Sequence, residues 1–168
     1  DSPCGAPAPP SLTSLRLTVE GRRLLDAEGR EVLLRGVNAG GRSKLDPFFP
    51  FPFAESGRPE QAGAPPFEEA AAAYAARLGS WGINFVRLPF TWEAVEPARG
   101  SYDATFLGRY QALAEAFGQQ GVRVLVDAHQ DVFARAYCGD GFPPWACPEP
   151  LPEPPEDCSG WFTGYLGQ

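Results

Sequence analysis

An aspartate, a histidine and a second aspartate alternate at Asp127, His129 and Asp131. Residues two apart share a face of an extended segment, so these three are expected to project together. Such a face can move protons or bind a polar ligand, and burying it without partners is costly. A salt-bridged strand end, with Arg87 as counter-ion, is the plainer alternative. His129 is the single histidine, which also excludes a histidine-rich metal site. Arg87 lies inside the apolar run INFVRLPF at 83–90, and Trp92 and Glu93 follow it. Asn38 ends another apolar run and opens a loop that carries Arg42, Lys44 and Asp46. Glu93 and Glu96 stand three apart, but the turn at Pro97 fits local capping better than paired-carboxylate chemistry. No serine elbow, dinucleotide fingerprint or phosphate-binding loop occurs.

The elements that position these residues follow from periodicity. LRLTV at 15–19 and EVLLRGV at 31–37 read as a hairpin around the turn signal Asp26-Ala27-Glu28-Gly29, its second strand running on to Asn38. Residues 39–66 have no period and read as a long loop, the kind that usually carries function. Residues 67–78 are Ala-rich with Glu68 and Glu69 at the start, which predicts a helix. Residues 83–90 predict a buried strand, 91–100 a loop, and 103–120 a helix capped by Asp103. Residues 122–128 predict the next strand. Strands alternating with helices imply a parallel sheet, and sites in such sheets gather at the C-terminal strand ends. Asn38, Arg87 and the Asp127–His129–Asp131 set all fall at those ends. A (β/α)₈ barrel needs roughly 250 residues. The chain is therefore expected to be the N-terminal part of a larger domain (residues 15–168), after a Pro-rich lead-in over 1–14. Unpaired edge strands would make it aggregation-prone alone. A complete small three-stranded domain is the alternative.

Composition narrows the classes. A net charge of −7 argues against a nucleic-acid partner. No apolar run reaches the ~18 residues of a membrane helix. Gly and Pro, 19 each, predict long loops. Cys4, Cys138, Cys147 and Cys158 lack the tight pairs of a zinc site, so disulfides and a secreted or cell-surface location are expected. Four cysteines allow three pairings; Cys138 with Cys147, flanking CGDGFPPWAC, is preferred. No cofactor or metal is expected. Trp92, Trp145, Phe48, Phe49 and Trp161 lie in predicted loops, where a ring either receives a sugar face or plugs a loop.

Four stretches then combine. They are Leu34-Arg35-Gly36-Val37-Asn38, Trp81 through Pro89, Trp92 through Val95-Glu96-Pro97 to Gly100-Ser101-Tyr102-Asp103, and Val126-Asp127-Ala128-His129-Gln130-Asp131. In this order, across roughly residues 15–147, they resemble glycoside hydrolase family 5. Ser43-Lys44, the His-Gln-Asp-Val run, Gly139-Asp140-Gly141 and Pro144-Trp145-Ala146 resemble its endoglycoceramidase-like branch. The resemblance implies the first three or so units of a (β/α)₈ barrel in a secreted retaining glycosidase. It implies that Arg87 orients the nucleophile and that Lys44, His129 and Asp131 contact the sugar beside the scissile bond. Asn38 and Trp145 join them as substrate-binding candidates. The family's acid/base Glu, usually in an Asn-Glu pair, and its nucleophile Glu fall later; no Asn-Glu occurs here. The expected partner is a carbohydrate or glycolipid, acted on by a monomer that touches lipid transiently, with the aromatic run at 48–53 either a contact surface or a packed rim. A β-glucanase or β-mannanase of the same family, or a short sugar-binding protein without catalysis, are the alternatives.

Overall fold

Residues 15–149 are described by the computed structural model. Among the described residues, five strands and three α-helices appear in the order β1 (Thr18–Glu20), β2 (Arg23–Leu25), β3 (Gly36–Asn38), α1 (Phe67–Ser80), β4 (Phe85–Phe90), α2 (Trp92–Val95), α3 (Ala104–Gln119) and β5 (Arg123–Ala128). β1 and β2 form an antiparallel pair, and β3-β4-β5 a separate sheet in that order. β3 and β4 are parallel, with Gly36 opposite Phe85 and Asn38 opposite Arg87. Arg123 N–H donates to Asn84 O at one end of β5 and His129 N–H to Phe90 O at the other, so β4 and β5 are parallel too. Partial membership of a parallel α/β sheet is what the alternating pattern predicts.

The hairpin differs from expectation. β1 turns at Gly21, whose φ of +59° suits glycine, and pairs at once with β2 rather than with 31–37. The local turn wins because it closes a far shorter loop. The Asp26 signal makes a second turn: its carboxylate accepts the Glu28 and Arg30 N–H groups at 3.0 and 2.8 Å. Residues 36–38 enter the parallel sheet alone. Gly36 is required there, because a Cβ would stand 2.8 Å from the Phe85 carbonyl oxygen.

Two compact units divide the chain. The first holds the described residues of 15–38, 51–88 and 109–125, the second those of 39–50, 89–108 and 126–149. In the first unit α1 buries Phe67, Ala70, Ala71, Ala75 and Leu78, one helical face. Pro66 precedes it and offers no side-chain cap, so Glu55 accepts the Phe67 N–H at 3.0 Å instead. Phe53 packs edge-on against Phe67 at 5.1 Å, Phe51 lies 5.3 Å from Tyr74, and the Arg109 guanidinium sits 4.9 Å over Phe53. Phe49, Phe51 and Phe53 are all buried. The burial of these three rings fits the packed-rim alternative for the run at 48–53. In the second unit Asp103 caps α3 as expected, accepting the Phe106 N–H at 2.9 Å.

Among the described residues no helix is long and apolar enough to cross a membrane.

Candidate functional site

The second unit gathers the chain that follows β3, β4 and β5. His129 is the first residue beyond β5. Its Nδ1 lies 3.4 Å from Asp127 Oδ2 and its Nε2 3.3 Å from Asp131 Oδ2. The alternation of the three residues thus places the imidazole between two carboxylates. Lys44, brought by the 3₁₀ turn Gly41–Lys44, seats its Nζ on Asp131 Oδ2. The Lys44 ammonium, followed by His129, holds the Asp131 carboxyl below the usual carboxylate range.

Asp131 begins a lobe that folds back on itself. Val132 and Phe133 have φ of +50° and +77°, a conformation that costs a β-branched and an aromatic residue energy. The reversal lets Asp131 and Asp140 exchange both backbone hydrogen bonds, at 3.0 and 2.8 Å. Gly139 and Gly141 make this possible: a Cβ would stand 2.0 Å from Asp131 O at the first and 2.3 Å from Gln130 Cβ at the second. Asp140 is buried, and its Oδ1 has no hydrogen-bond partner. Burial pushes its carboxyl above the usual range, against the pull of Lys44. One ligand atom each from His129, Asp131 and Asp140 lie within 4.8 Å of one another, a donor set of the kind that holds a cation. Here the Lys44 ammonium already supplies the positive charge to Asp131.

Beside His129 opens a cavity of about 360 Å³, walled by Phe90, Trp92, Val95, Ala128, Gln130, Gly141 and Phe142. Its wall is mainly apolar, with the imidazole at its polar edge. Trp145 does not line it. The Trp145 ring stands edge-on to Trp92 at 5.1 Å, and its Nε1–H donates to Glu96 O at 2.9 Å. Trp145 thus braces a wall instead of offering a free platform.

The predicted residues fall into two sets. Lys44, His129 and Asp131 meet in the second unit. Asn38 and Arg87 belong to the first, where they are register partners and line a groove with Gly36, Val37, Phe85 and Leu125. Glu96 behaves as the turn predicted: its carboxylate accepts Gly100 N–H at 2.7 Å and Trp92 Nε1–H at 2.8 Å, which hold it below the usual range. Glu93 does not pair locally. It takes Arg135 Nε–H at 3.2 Å and Nη2–H at 2.8 Å. Neither Arg135 nor Asp140 was singled out by the sequence for a place beside these groups. The glycines flanking Asp140 were the only local signal, and Arg135 had none.

The cysteine pairing is also corrected. Cys138 is disulfide-bonded. Cys147 is a buried free thiol whose Sγ–H points to Pro143 O at 3.5 Å. The turn Pro144–Ala146 aims that thiol back at its own loop, away from a bond with Cys138. Cys4, Cys158, Trp161 and the lead-in lie outside the described residues.

A family model described as cellulase (glycosyl hydrolase family 5) matches residues 25–163. A glucosylceramidase of Cryptococcus neoformans is 37% identical over 136 residues, which are 80% of this chain and 18% of that protein. The structure of sterylglucosidase 1 from the same organism superposes with a TM-score of 0.62 at 32% identity, covering 83% of this chain and 22% of that one. Endo-glycoceramidase II from Rhodococcus sp., captured as a lactosyl-enzyme intermediate, superposes with a TM-score of 0.56 at 31% identity, covering 83% and 31%. The chain spans less than a third of each of these proteins.

Proposed function

Since this chain belongs to glycosyl hydrolase family 5, we propose that the protein carrying it is a retaining glycosidase that cuts the β-linkage between a glycan and a lipid, ceramide foremost. The chain supplies about three of the eight βα units of the barrel. The observation that carries the reading is the Lys44–Asp131–His129 cluster, whose His129 also lines a mainly apolar cavity. Charged donors and acceptors of this kind bind sugar hydroxyls, and a mainly apolar wall tolerates a ring face or an alkyl chain. Relatives named for ceramide-linked and sterol-linked sugars support the substrate class. The lactosyl-enzyme form of one of them supports retention through a covalent intermediate.

In this reading the two catalytic carboxyl groups, about 5 Å apart, come from chain that follows these residues. Lys44 and Asp131 orient the sugar next to the scissile bond. Arg87 steadies the nucleophile. His129, with one ring nitrogen facing Asp127 and the other facing Asp131, holds the Asp131 carboxylate in the orientation in which it meets a sugar hydroxyl. The disulfide at Cys138 fits a secreted protein.

The test is an assay of the full-length protein on lactosylceramide, glucosylceramide and a steryl glucoside, beside β-glucan and β-mannan. Release of sugar from a ceramide substrate, with retained anomeric configuration by proton NMR, is expected. Release from β-glucan or β-mannan alone would move the protein to the polysaccharide-cutting side of the family. Failure on every substrate would end the enzyme reading.

A further inference from the structure

Glu93 and Arg135 stand outside the sugar-facing cluster, yet they touch the segment that carries Lys44 and the segment whose backbone pairs with Asp131. The Glu93 side chain is largely buried, and Arg135 is little more than a third exposed. Arg135 grips Glu93 with two donors, Nε–H at 3.2 Å and Nη2–H at 2.8 Å. The same Nη2 also donates to the main-chain carbonyl of Lys44. Glu93 in turn accepts the Gly141 N–H at 3.3 Å, while its own N–H donates to Gly141 O at 2.9 Å. Gly141 follows Asp140, whose backbone is paired with Asp131.

On the glycosidase reading given above, we infer that Glu93 and Arg135 form a positioning clamp that sets the Lys44–Asp131 pair from both sides. Arg135 fixes the Lys44 backbone. Glu93 fixes the lobe that carries Asp131. A lysine ammonium is a point charge on a flexible stem, so its aim depends on where its own backbone is held. A guanidinium has enough donors, in a rigid fork, to hold a carboxylate and a carbonyl at once; a lysine in its place lacks that fork. The clamp residues touch no substrate, so they are positioning residues and not catalytic ones.

Lys44 is the single lysine of this sequence, which gives the clamp a readout independent of activity. The rate of Lys44 acylation by an amine-reactive ester is measured at peptide level in the full-length protein. A lysine seated on a carboxylate reacts slowly, because its amine must first leave the pair. Glu93→Gln and Arg135→Gln are expected to speed Lys44 labelling by on the order of tenfold, the equivalent of one charge-assisted hydrogen bond. Both are expected to lower kcat/KM by a similar factor, mainly through KM. In a Lys44→Ala background the Arg135→Gln loss should vanish, because Arg135 acts on the site through the Lys44 backbone, and the Glu93→Gln loss should shrink to the part carried by Asp131. Arg135→Lys, which keeps the charge, covers the case in which a Gln variant does not fold. It should label faster than wild type, since it lacks the fork that reaches Lys44 O.

Wild-type labelling in the folded variants, or losses that simply add to that of Lys44→Ala, would overturn the clamp while leaving the glycosidase reading standing. A wild-type protein inert on every substrate would remove that reading, and the labelling would still decide the clamp.

Discussion

The two units are held by different physics. The first is an aromatic core: Phe51, Phe53, Phe67, Tyr74 and Phe117 touch in a chain of edge-on and tilted contacts, with Arg109 over two of the rings. The second has rings of its own, Trp92 against Trp145 and Phe142 and Phe133 against Phe142, but adds a charged network: Arg135 on Glu93, Lys44 on Asp131, His129 between two aspartates. Apolar burial is non-directional and tolerates small shifts. Charge-assisted hydrogen bonds are directional and fail when one partner is lost. The contrast teaches that the polar unit is organised for placement of groups, and the aromatic unit for stability.

The largest expected effect tests the aromatic side. Phe53 is fully buried, so Phe53→Ala should cost about 3–5 kcal/mol of unfolding free energy by denaturant titration of the full-length protein. A cost below about 1 kcal/mol would show that the rings are not the support they look like.

The next effect sharpens the polar side. Asp131→Asn removes the carboxylate that Lys44 and His129 share, and kcat/KM should fall about a hundredfold, near 2.7 kcal/mol of transition-state binding. Its stability cost is smaller, about 1 kcal/mol at most, because the pair is partly exposed. The Asp131 carboxyl is held low when folded, so its stabilising contribution is present above the unfolded value near 3.9. It is lost as pH falls through the depressed folded value. Wild type and Asp131→Asn should therefore converge in stability toward acid; a gap that widens there would contradict the pairing.

The smallest effect has the opposite sign. Burial raises the Asp140 carboxyl, so the folded state favours its protonated form. Its contribution is fully favourable below the unfolded pKa and is lost as pH rises through the folded one. Asp140→Asn keeps the size and removes the charge, and should gain about 1 kcal/mol at pH 7 and nothing at pH 3. A loss at neutral pH would mean that its charge, not its shape, is what the lobe needs.

Much of the scaffold was legible in the residues. The Ala-rich run gave α1, the apolar stripe of Phe106, Leu113 and Phe117 gave α3, and Asp103 capped it as read. The two-residue spacing of Asp127, His129 and Asp131 was enough to put the imidazole between the acids. The hairpin was misplaced because both Gly21 and Asp26 are turn signals: the first closes β1 on β2, and the second adds only an isolated antiparallel bridge of Leu25 with Glu31. The aromatic run at 48–53 was ambiguous, since composition cannot tell a core ring from an exposed one.

What the sequence determined by itself is therefore local and periodic: the alternation of the parallel strands with α1 and α3, the shared face of the Asp-His-Asp set, and the family motifs they sit in. Those follow from spacing within a few residues. The tertiary structure alone decided that Glu93 meets Arg135, 42 positions away, that Lys44 reaches Asp131 across 87, and that Cys147 stays free. Such pairs depend on where loops of no fixed period are set down, and that is governed by packing and backbone hydrogen bonding far from either residue.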